Sequence, residues 1–141
     1  MHKVLFICTG NFYRSRFAEA LLNYHATARN LPARAFSRGL AIHLAEGDLS
    51  AYTAAALAER GIDFSHTGET RVSLKNEDLL SADTIIALDE IEHRPLMQSL
   101  FPDWAERITY WNCRDIQWEA SVDCIPRIEQ RVMNLLEEIG R

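Results

Sequence analysis

The apolar residues of this chain alternate between strand-like and helix-like spacing, and this alternation limits the fold more than any other feature. The stretch Lys3–Cys8, KVLFIC, is almost continuously apolar, which is typical of a strand covered on both faces. The next stretch, 14–30, carries apolar residues spaced for one helical face, at Phe17, Leu21, Tyr24 and Ala28. Strands that alternate with helices predict an α/β fold, in which helices cover both faces of a parallel sheet.

The rest of the chain continues the pattern. Further strands are predicted at 33–40, 83–89 and 107–112, and the polar stretches 43–50 and 65–78 are predicted to be surface loops. Ser50 and Gly61 suit the two ends of a helix, and another helix is predicted before Pro102. In the last helix Pro126 is tolerable only in the first turn. The apolar face of that helix is formed by Ile125, Ile128, Val132, Leu135, Leu136 and Ile139.

Size and composition indicate one folded domain spanning 1–141. The 141 residues suffice to bury one core, and the hydrophobic (48%) and charged (25%) fractions are those of a globular protein. A net charge of −5 argues against nucleic acid as a partner, and no apolar run approaches the roughly 18 residues that cross a bilayer. Three widely spaced cysteines, Cys8, Cys113 and Cys124, do not form a secreted disulfide framework, so a reducing, cytoplasmic location is predicted.

The segment CTGNFYRS, Cys8–Ser15, leads from the first strand into the first helix and has the composition of an anion-binding loop. The N–H groups of such a loop point inward, and the helix N-terminus adds partial positive charge. The planar fork of Arg14 suits two oxygens of a phosphate. Cys8 at the floor of the ring is therefore predicted to be a thiolate that attacks phosphorus, with Ser15 donating a hydrogen bond to its sulfur. The predicted phosphate-binding residues are Thr9, Gly10, Asn11, Phe12, Tyr13 and Ser15.

Two other kinds of site are not predicted. The five histidines are scattered, and no two cysteines have the close spacing of zinc ligands. The loop after the first strand lacks the Gly-x-Gly-x-x-Gly pattern of a dinucleotide site. We therefore expect neither a metal nor a cofactor.

The Cys8–Ser15 loop resembles that of the low-molecular-weight protein tyrosine phosphatases, which reads Cys-x-Gly-Asn-x-Cys-Arg-Ser at the end of the first strand. The resemblance extends along nearly the whole chain. It implies a single-domain, three-layer α/β fold with a four-stranded parallel sheet in the order 2-1-3-4. It also implies hydrolysis of a phosphorylated protein or a small aryl phosphate by a monomer or weak dimer, with no nucleic acid or membrane as partner.

Four later segments resemble the family in the right order. FSRGL looks like its Ser-Ala-Gly-Thr segment, which implies that Ser37 braces the loop. GIDFSH resembles its Gly-Ile-x-x-x-His stretch, which implies that His66 belongs to the same supporting hydrogen-bond network. ADTIIALD looks like its third strand, which ends in an aspartate, here Asp89. YWNCRDI corresponds to its strand ending in Asp-Pro, which places Asp115 at the position of the general acid.

A carboxylic acid on a loop suits the second half of the chemistry, because it can protonate a leaving oxygen and later deprotonate a water. Asp115 follows the fourth predicted strand, which brings it to the same sheet edge as Cys8. A loop aspartate is nevertheless more often a turn or cap residue. Asp123 is the rival acid, although its place just before the last helix favours a capping role.

Several positions depart from the family pattern. Tyr13 replaces the second loop cysteine, which can trap the oxidised nucleophile as a reversible disulfide. Arg16 replaces the proline after the serine and is expected to add charge near the pocket mouth. Cys113 and Cys124 are expected to serve only for packing. Residues 116–117 replace the proline and aromatic that follow the family's acid. Walls for a phenyl ring are therefore expected from Phe12 and from Trp118 or Tyr13.

Two alternatives remain open from the sequence. The first is an arsenate reductase, since such enzymes can share this fold and loop. They relay oxidation through further cysteines, however, and residues 9–112 contain none. The second is a module that binds phosphate without catalysis, which the altered neighbourhood of Asp115 permits.

Overall fold

Four parallel strands form the central sheet in the order β2-β1-β3-β4, which confirms the predicted topology. The computed structural model describes all 141 residues. The strands are shorter than their sequence patterns in three of four cases, most of all the last. Their bounds are β1 His2–Cys8, β2 Ala33–Gly39, β3 Thr84–Ala87 and β4 Thr109–Tyr110.

Helices cover both faces of the sheet. They are α1 Arg14–Ala28, α2 Ala51–Glu59, α3 Asn76–Ser81, α4 Glu90–Leu100 and α5 Ser121–Ile139, with short 3₁₀ turns at Ile42–Leu44 and Phe64–His66. The start of α3 lies in a stretch that was predicted to be a loop. The carboxylate of Asp78 accepts a hydrogen bond from the Lys75 N–H (3.0 Å), and this local cap allows a helix to begin in a polar segment. None of the helices combines the length and apolar character needed to cross a bilayer.

Strand β1 is buried on both faces, as its continuous apolar sequence predicts. Val4 and Phe6 belong to the larger core, which includes side chains of α1 and α5. Leu5 and Ile7 belong to the smaller core on the opposite face, with Leu79 of α3 among its members. Because successive side chains of a strand point to opposite faces, one strand serves two cores and sits at the centre of the fold.

The last helix begins earlier than its apolar pattern suggests. Ala120 is its N-cap, so Asp123 lies inside the first turn and does not cap the helix. Pro126 is the sixth helical residue, beyond the first turn to which it was expected to be confined. It removes one backbone hydrogen bond, but the helix continues because Ile128 and Val132 are fully buried in the larger core.

The carboxyl ends of β1, β3 and β4 meet at one edge of the sheet. Backbone pairing continues past β4, since the Cys113 N–H donates to the Leu88 carbonyl (2.8 Å). The segment that leads to Asp115 is thereby held beside the loop that follows Cys8. This edge is where ligands bind in parallel α/β sheets.

Candidate active site

The backbone N–H groups of the Cys8–Ser15 loop form a cradle. No N–H group of residues 9–15 donates a hydrogen bond to any protein acceptor. Seven consecutive free donors, ending in the first turn of α1, are an anion-binding arrangement in which the helix dipole also favours negative charge. Cys8 lies at the start of this ring with its side chain buried.

Asn11 shapes the ring. Its backbone is left-handed, with φ of 51°, and it is 1% exposed. Its side-chain amide donates to the hydroxyls of Ser15 (3.1 Å) and Ser37 (2.9 Å), while its oxygen accepts from the Val72 N–H (2.8 Å). These three contacts stabilise a backbone conformation that a side chain other than Asn or Gly rarely adopts.

The end of β2 approaches the loop closely. A Cβ at Gly39 would lie 2.8 Å from the Thr9 carbonyl oxygen and 3.0 Å from the Asn11 Cβ. The following N–H groups, of Leu40 and Ala41, donate to the carbonyls of Cys8 (3.0 Å) and Thr9 (2.8 Å). Gly39 therefore allows the chain at the end of β2 to approach the loop and bind the carbonyls of Cys8 and Thr9.

The Ser15 hydroxyl lies 2.9 Å from the Cys8 sulfur. Ser15 already accepts a hydrogen bond from the Asn11 amide, so its own hydrogen is available for the sulfur. The hydroxyl can therefore donate a hydrogen bond to the sulfur.

Ser37 braces the loop from β2 and is itself held by a buried carboxylate. Its hydroxyl donates to Glu19 (2.7 Å), and the Thr67 hydroxyl donates to the same oxygen (2.6 Å). Burial raises the pKa of Glu19, against the lowering effect of these hydrogen bonds. Glu19 was not predicted from the sequence. A carboxylate four residues after Ser15, on a helix that is largely buried, could have indicated a side chain that supports the loop.

His66 does not belong to this network, contrary to the expectation from the resemblance. Its ring packs edge-on against Tyr24, with the ring centres 5.6 Å apart, and only its carbonyl accepts a hydrogen bond, from Asn23 (2.9 Å). The next residue, Thr67, occupies the bracing position. A shift of one residue in an irregular segment exchanges the side chains that face the loop, and a sequence pattern does not resolve such a shift.

Arg14 is almost fully buried beside the cradle. Its Nη1 donates to the Cys113 carbonyl (2.9 Å) and its Nη2 to Glu92 (2.7 Å), whereas its buried Nε has no partner. Glu92 was also not predicted. It lies in the first turn of α4, three residues after the N-cap Asp89.

Arg16 is buried below the loop and does not add charge at the pocket mouth. Its guanidinium donates to the Thr67 hydroxyl (2.6 Å), to the Asp48 carbonyl (2.6 Å) and to the Gly68 carbonyl. Burial lowers its pKa, and the nearby Glu19 carboxylate opposes that effect. Arg16 thus connects two surface segments to the first turn of α1, a role that the proline of the family pattern cannot have.

A cleft of about 870 Å³ opens above Cys8 and Arg14. Asp115 lines it, and one of its carboxylate oxygens accepts from the neighbouring Ile116 N–H (2.8 Å). Phe12 and Trp118 also line the cleft, and the Trp118 side chain is 65% exposed, so it is not a core residue.

Asp89 is fully buried and lies outside the cleft lining. Its carboxylate pairs with Arg114 (2.8 Å), which lines the cleft beside Asp115. The rival acid Asp123 is exposed on α5 and is not part of the cleft. The structure therefore brings Asp115, and not Asp123, to the same cleft as Cys8.

The remaining cysteines lie in the larger core. Cys113 and Cys124 are both free and fully buried. Tyr13 also lines the cleft, but it is only 6% exposed and its hydroxyl is buried with no hydrogen-bond partner. No group of three or more His, Cys, Asp or Glu side chains is arranged to hold a metal ion.

Comparisons with known proteins identify the family. A profile described as low molecular weight phosphotyrosine protein phosphatase matches residues 3–141. A low molecular weight protein tyrosine phosphatase from T. tengcongensis is 27% identical, with a TM-score of 0.82 over 98% of this chain and 99% of that one. YfkJ from Bacillus subtilis is 25% identical, with a TM-score of 0.80 over 99% and 95%.

A further solved structure shares the fold. The YwlE arginine phosphatase from Geobacillus stearothermophilus is 24% identical, with a TM-score of 0.77 over 99% of this chain and 94% of that one. No protein with a curated function matches the chain.

Proposed function

Because the chain belongs to the low molecular weight phosphotyrosine protein phosphatases, a family of hydrolases, we propose that it removes phosphate from tyrosine side chains through a phosphocysteine at Cys8. The observation that carries the proposal is the run of free N–H groups at residues 9–15, which directly follow Cys8 in the chain. Such a cradle binds the three non-bridging oxygens of a phosphate and stabilises the charge that they carry in the transition state.

In the first step the Cys8 thiolate attacks phosphorus from the side opposite the ester oxygen. The sulfur–phosphorus bond forms while the bond from phosphorus to the ester oxygen breaks, and Asp115 protonates the departing oxygen. Arg14 and the cradle hold the three phosphoryl oxygens throughout this transfer.

In the second step a water attacks the phosphocysteine. The Asp115 carboxylate takes a proton from that water, the phosphorus–sulfur bond breaks, and inorganic phosphate leaves. The sulfur departs as a thiolate, to which the Ser15 hydroxyl (2.9 Å) donates a hydrogen bond. No metal or cofactor takes part in either step. A reducing cytoplasm would keep the Cys8 thiol reduced and able to attack phosphorus.

The cleft supports a substrate larger than phosphate alone. Besides Phe12 and Trp118, exposed Leu44 and Ile91 side chains line its walls. Such walls suit the ring of phosphotyrosine or of a small aryl phosphate.

Phosphoarginine is a second candidate substrate. Two carboxylates not engaged by Arg14, those of Glu46 and Asp115, line the same cleft and would face a guanidinium leaving group. One solved structure with this fold is described as an arginine phosphatase. Parallel assays on phosphotyrosine and phosphoarginine peptides of the same sequence distinguish the two substrates.

The direct test is hydrolysis of p-nitrophenyl phosphate across pH 5 to 7. We expect turnover that vanadate blocks and a chelator leaves unchanged, and that Cys8→Ser abolishes. Cys124→Ala, at another buried cysteine, is the matched control and should retain turnover. If the folded wild type hydrolyses no aryl phosphate, the proposal fails. Tight phosphopeptide binding without product would indicate a binding module, and arsenate-dependent thiol consumption would indicate a reductase.

A further inference from the structure

Glu92 makes an unusual set of contacts at the wall of the cleft. Its Oε2 accepts hydrogen bonds from Arg14 Nη2 (2.7 Å) and from the Thr9 hydroxyl, and it lies 3.1 Å from His93 Nε2. Its side chain is 19% exposed, against 3% for Arg14. Burial raises the pKa of Glu92, but the hydrogen bonds from His93 and Arg14 outweigh burial and hold that pKa well below its ordinary value. A permanent carboxylate therefore lies against the phosphate-binding arginine.

His93 supports this carboxylate from behind. Its Nδ1 accepts a hydrogen bond from the Asp89 N–H (3.0 Å), so the ring proton is on Nε2. Nε2 then donates toward Glu92 and toward the Thr9 hydroxyl (3.2 Å). The ring is fully buried, and burial lowers the pKa of His93. Glu92 is thus held by donors from two elements, the Cys8–Ser15 loop and α4.

The donors of Arg14 can be counted. A guanidinium has five N–H donors in a fixed fork. Nη1 donates to the Cys113 carbonyl and Nη2 to Glu92, which leaves three donors, the Nε–H and the second hydrogens of Nη1 and Nη2. The Nε–H and an Nη2 hydrogen lie parallel on one edge of a guanidinium, which is the arrangement that binds two oxygens of a phosphate.

We propose that Glu92 is a positioning residue of this site, which fixes the Arg14 guanidinium so that its Nε–Nη2 edge is presented to the phosphate. The inference rests on the proposed function of the Cys8–Ser15 loop. Glu92 does not touch the reacting atoms, and it acts only through the orientation of Arg14. The Cys113 carbonyl holds the opposite side of the guanidinium, so the loss of Glu92 leaves Arg14 with a single fixed contact.

Two substitutions of Glu92 separate its role in orienting Arg14 from the effect of its own negative charge. Glu92→Ala removes the acceptor, and we expect the affinity for inorganic phosphate and kcat/KM for p-nitrophenyl phosphate to fall by about 10- to 100-fold, as for a lost charge-assisted hydrogen bond. Glu92→Gln keeps an acceptor oxygen for Arg14, and we expect kcat within roughly threefold of wild type. Glu90→Gln, an exposed carboxylate in the same helical turn, is the matched control and should change neither quantity.

A double-mutant cycle tests whether Glu92 acts through Arg14. In an Arg14→Lys background, where no planar fork is left to orient, Glu92→Ala should weaken phosphate binding by less than twofold. A wild-type phosphate affinity in Glu92→Ala, or an equal loss in both backgrounds, would overturn the proposal. If Glu92→Ala does not fold, the same cycle with Glu92→Leu, which also removes the acceptor but keeps the bulk of the side chain, decides, because an additive effect there excludes action through Arg14. Phosphate affinity is measured by titration, so absence of turnover in the wild type would refute the proposed function without affecting this test.

Discussion

The hydroxyl of Ser15 lies 2.9 Å from the sulfur of Cys8, and its only other side-chain contact is the amide of Asn11. The amide can only donate to this oxygen, so the hydroxyl hydrogen is directed at the sulfur. The relationship matters twice in the proposed cycle, because the sulfur is the attacking atom in the first step and the leaving group in the second.

Ser15→Ala should slow the breakdown of the phosphocysteine. Loss of a hydrogen bond to a charged sulfur is expected to lower kcat by about 10- to 100-fold. Rapid-mixing kinetics should then show a burst of p-nitrophenol followed by slow turnover. Ser65→Ala, at an exposed serine, is the control and should behave as wild type. Unchanged steady-state kinetics in Ser15→Ala would contradict the role of this hydroxyl.

Asp115→Asn should affect poor leaving groups most. A lost general acid is expected to lower the rate with phenyl phosphate by about 10²- to 10⁴-fold, and the rate with p-nitrophenyl phosphate much less. The pH–rate profiles of both substrates provide the measurement. Asp123→Asn, the exposed rival on α5, should leave the profiles unchanged. If Asp115→Asn keeps the wild-type profile, the acid lies elsewhere.

Asn11 and Asn30 both have left-handed backbones, with φ of 51° and 54°, but only Asn11 is buried. Asn11→Ala loses three side-chain hydrogen bonds as well as the tolerance of Asn for this conformation, so we expect a loss of roughly 2–4 kcal/mol in the free energy of unfolding. Asn30→Ala should lose about 1 kcal/mol. Urea denaturation compares the two, and equal losses would show that the contacts of Asn11 add nothing.

His93 should remain neutral and protonated on Nε2 in the folded protein. Burial lowers its pKa there, while the unfolded chain has the ordinary value near 6.5, so the unfolded state binds the extra proton below that pH. The contribution of His93 to stability is then present above about pH 6.5 and is lost as the pH falls, by at most about 1.4 kcal/mol per pH unit. Urea denaturation between pH 5 and 7 should show a flatter dependence for His93→Gln, and NMR of the ring nitrogens should identify the tautomer. A proton on Nδ1 would contradict the prediction.

Oxidation of Cys8 should be poorly reversible. The loop has no second cysteine, and both other cysteines are fully buried in the core. Peroxide should therefore carry Cys8 past the sulfenic acid to forms that thiols do not reduce. Tyr13→Cys should restore recovery of activity by dithiothreitol, with an intramolecular disulfide visible by mass spectrometry. Full recovery of the wild type after prolonged peroxide treatment would contradict this prediction.

The sequence predicted the structure best where the pattern of apolar residues was strong. The continuous apolar run of β1 predicted a strand buried on both faces, and Val4 and Leu5 indeed enter opposite cores. The prediction was less accurate where tertiary contacts compete with local preference. Pro126 was expected in the first turn of α5, yet packing of the apolar face extends that helix by several residues on its N-terminal side.

In the site, too, local features were predicted from the sequence and contacts between distant segments were not. The motif from Cys8 to Ser15 is local, so its residue types and their order suffice to predict an anion cradle. Glu92 is far from that loop in sequence, as are Glu19 and Thr67 from Ser37, and none of their contacts follows from spacing. That Thr67, and not His66, hydrogen-bonds to Glu19 beside the loop also depends on the path of an irregular segment.

The amino-acid sequence by itself determined the alternation of strands and helices and the composition of an anion-binding loop, because these follow from periodicity and from residues adjacent in the chain. The strand order was predicted only through the resemblance of that loop and the later segments to a family. The tertiary structure alone decided which carboxylates accompany that loop. Glu92 reaches Arg14 because α4 begins at the same sheet edge as the loop, and Asp115 shares the cleft because backbone pairing beyond β4 carries it there. Such contacts are set by how the elements pack in three dimensions, which no local pattern records.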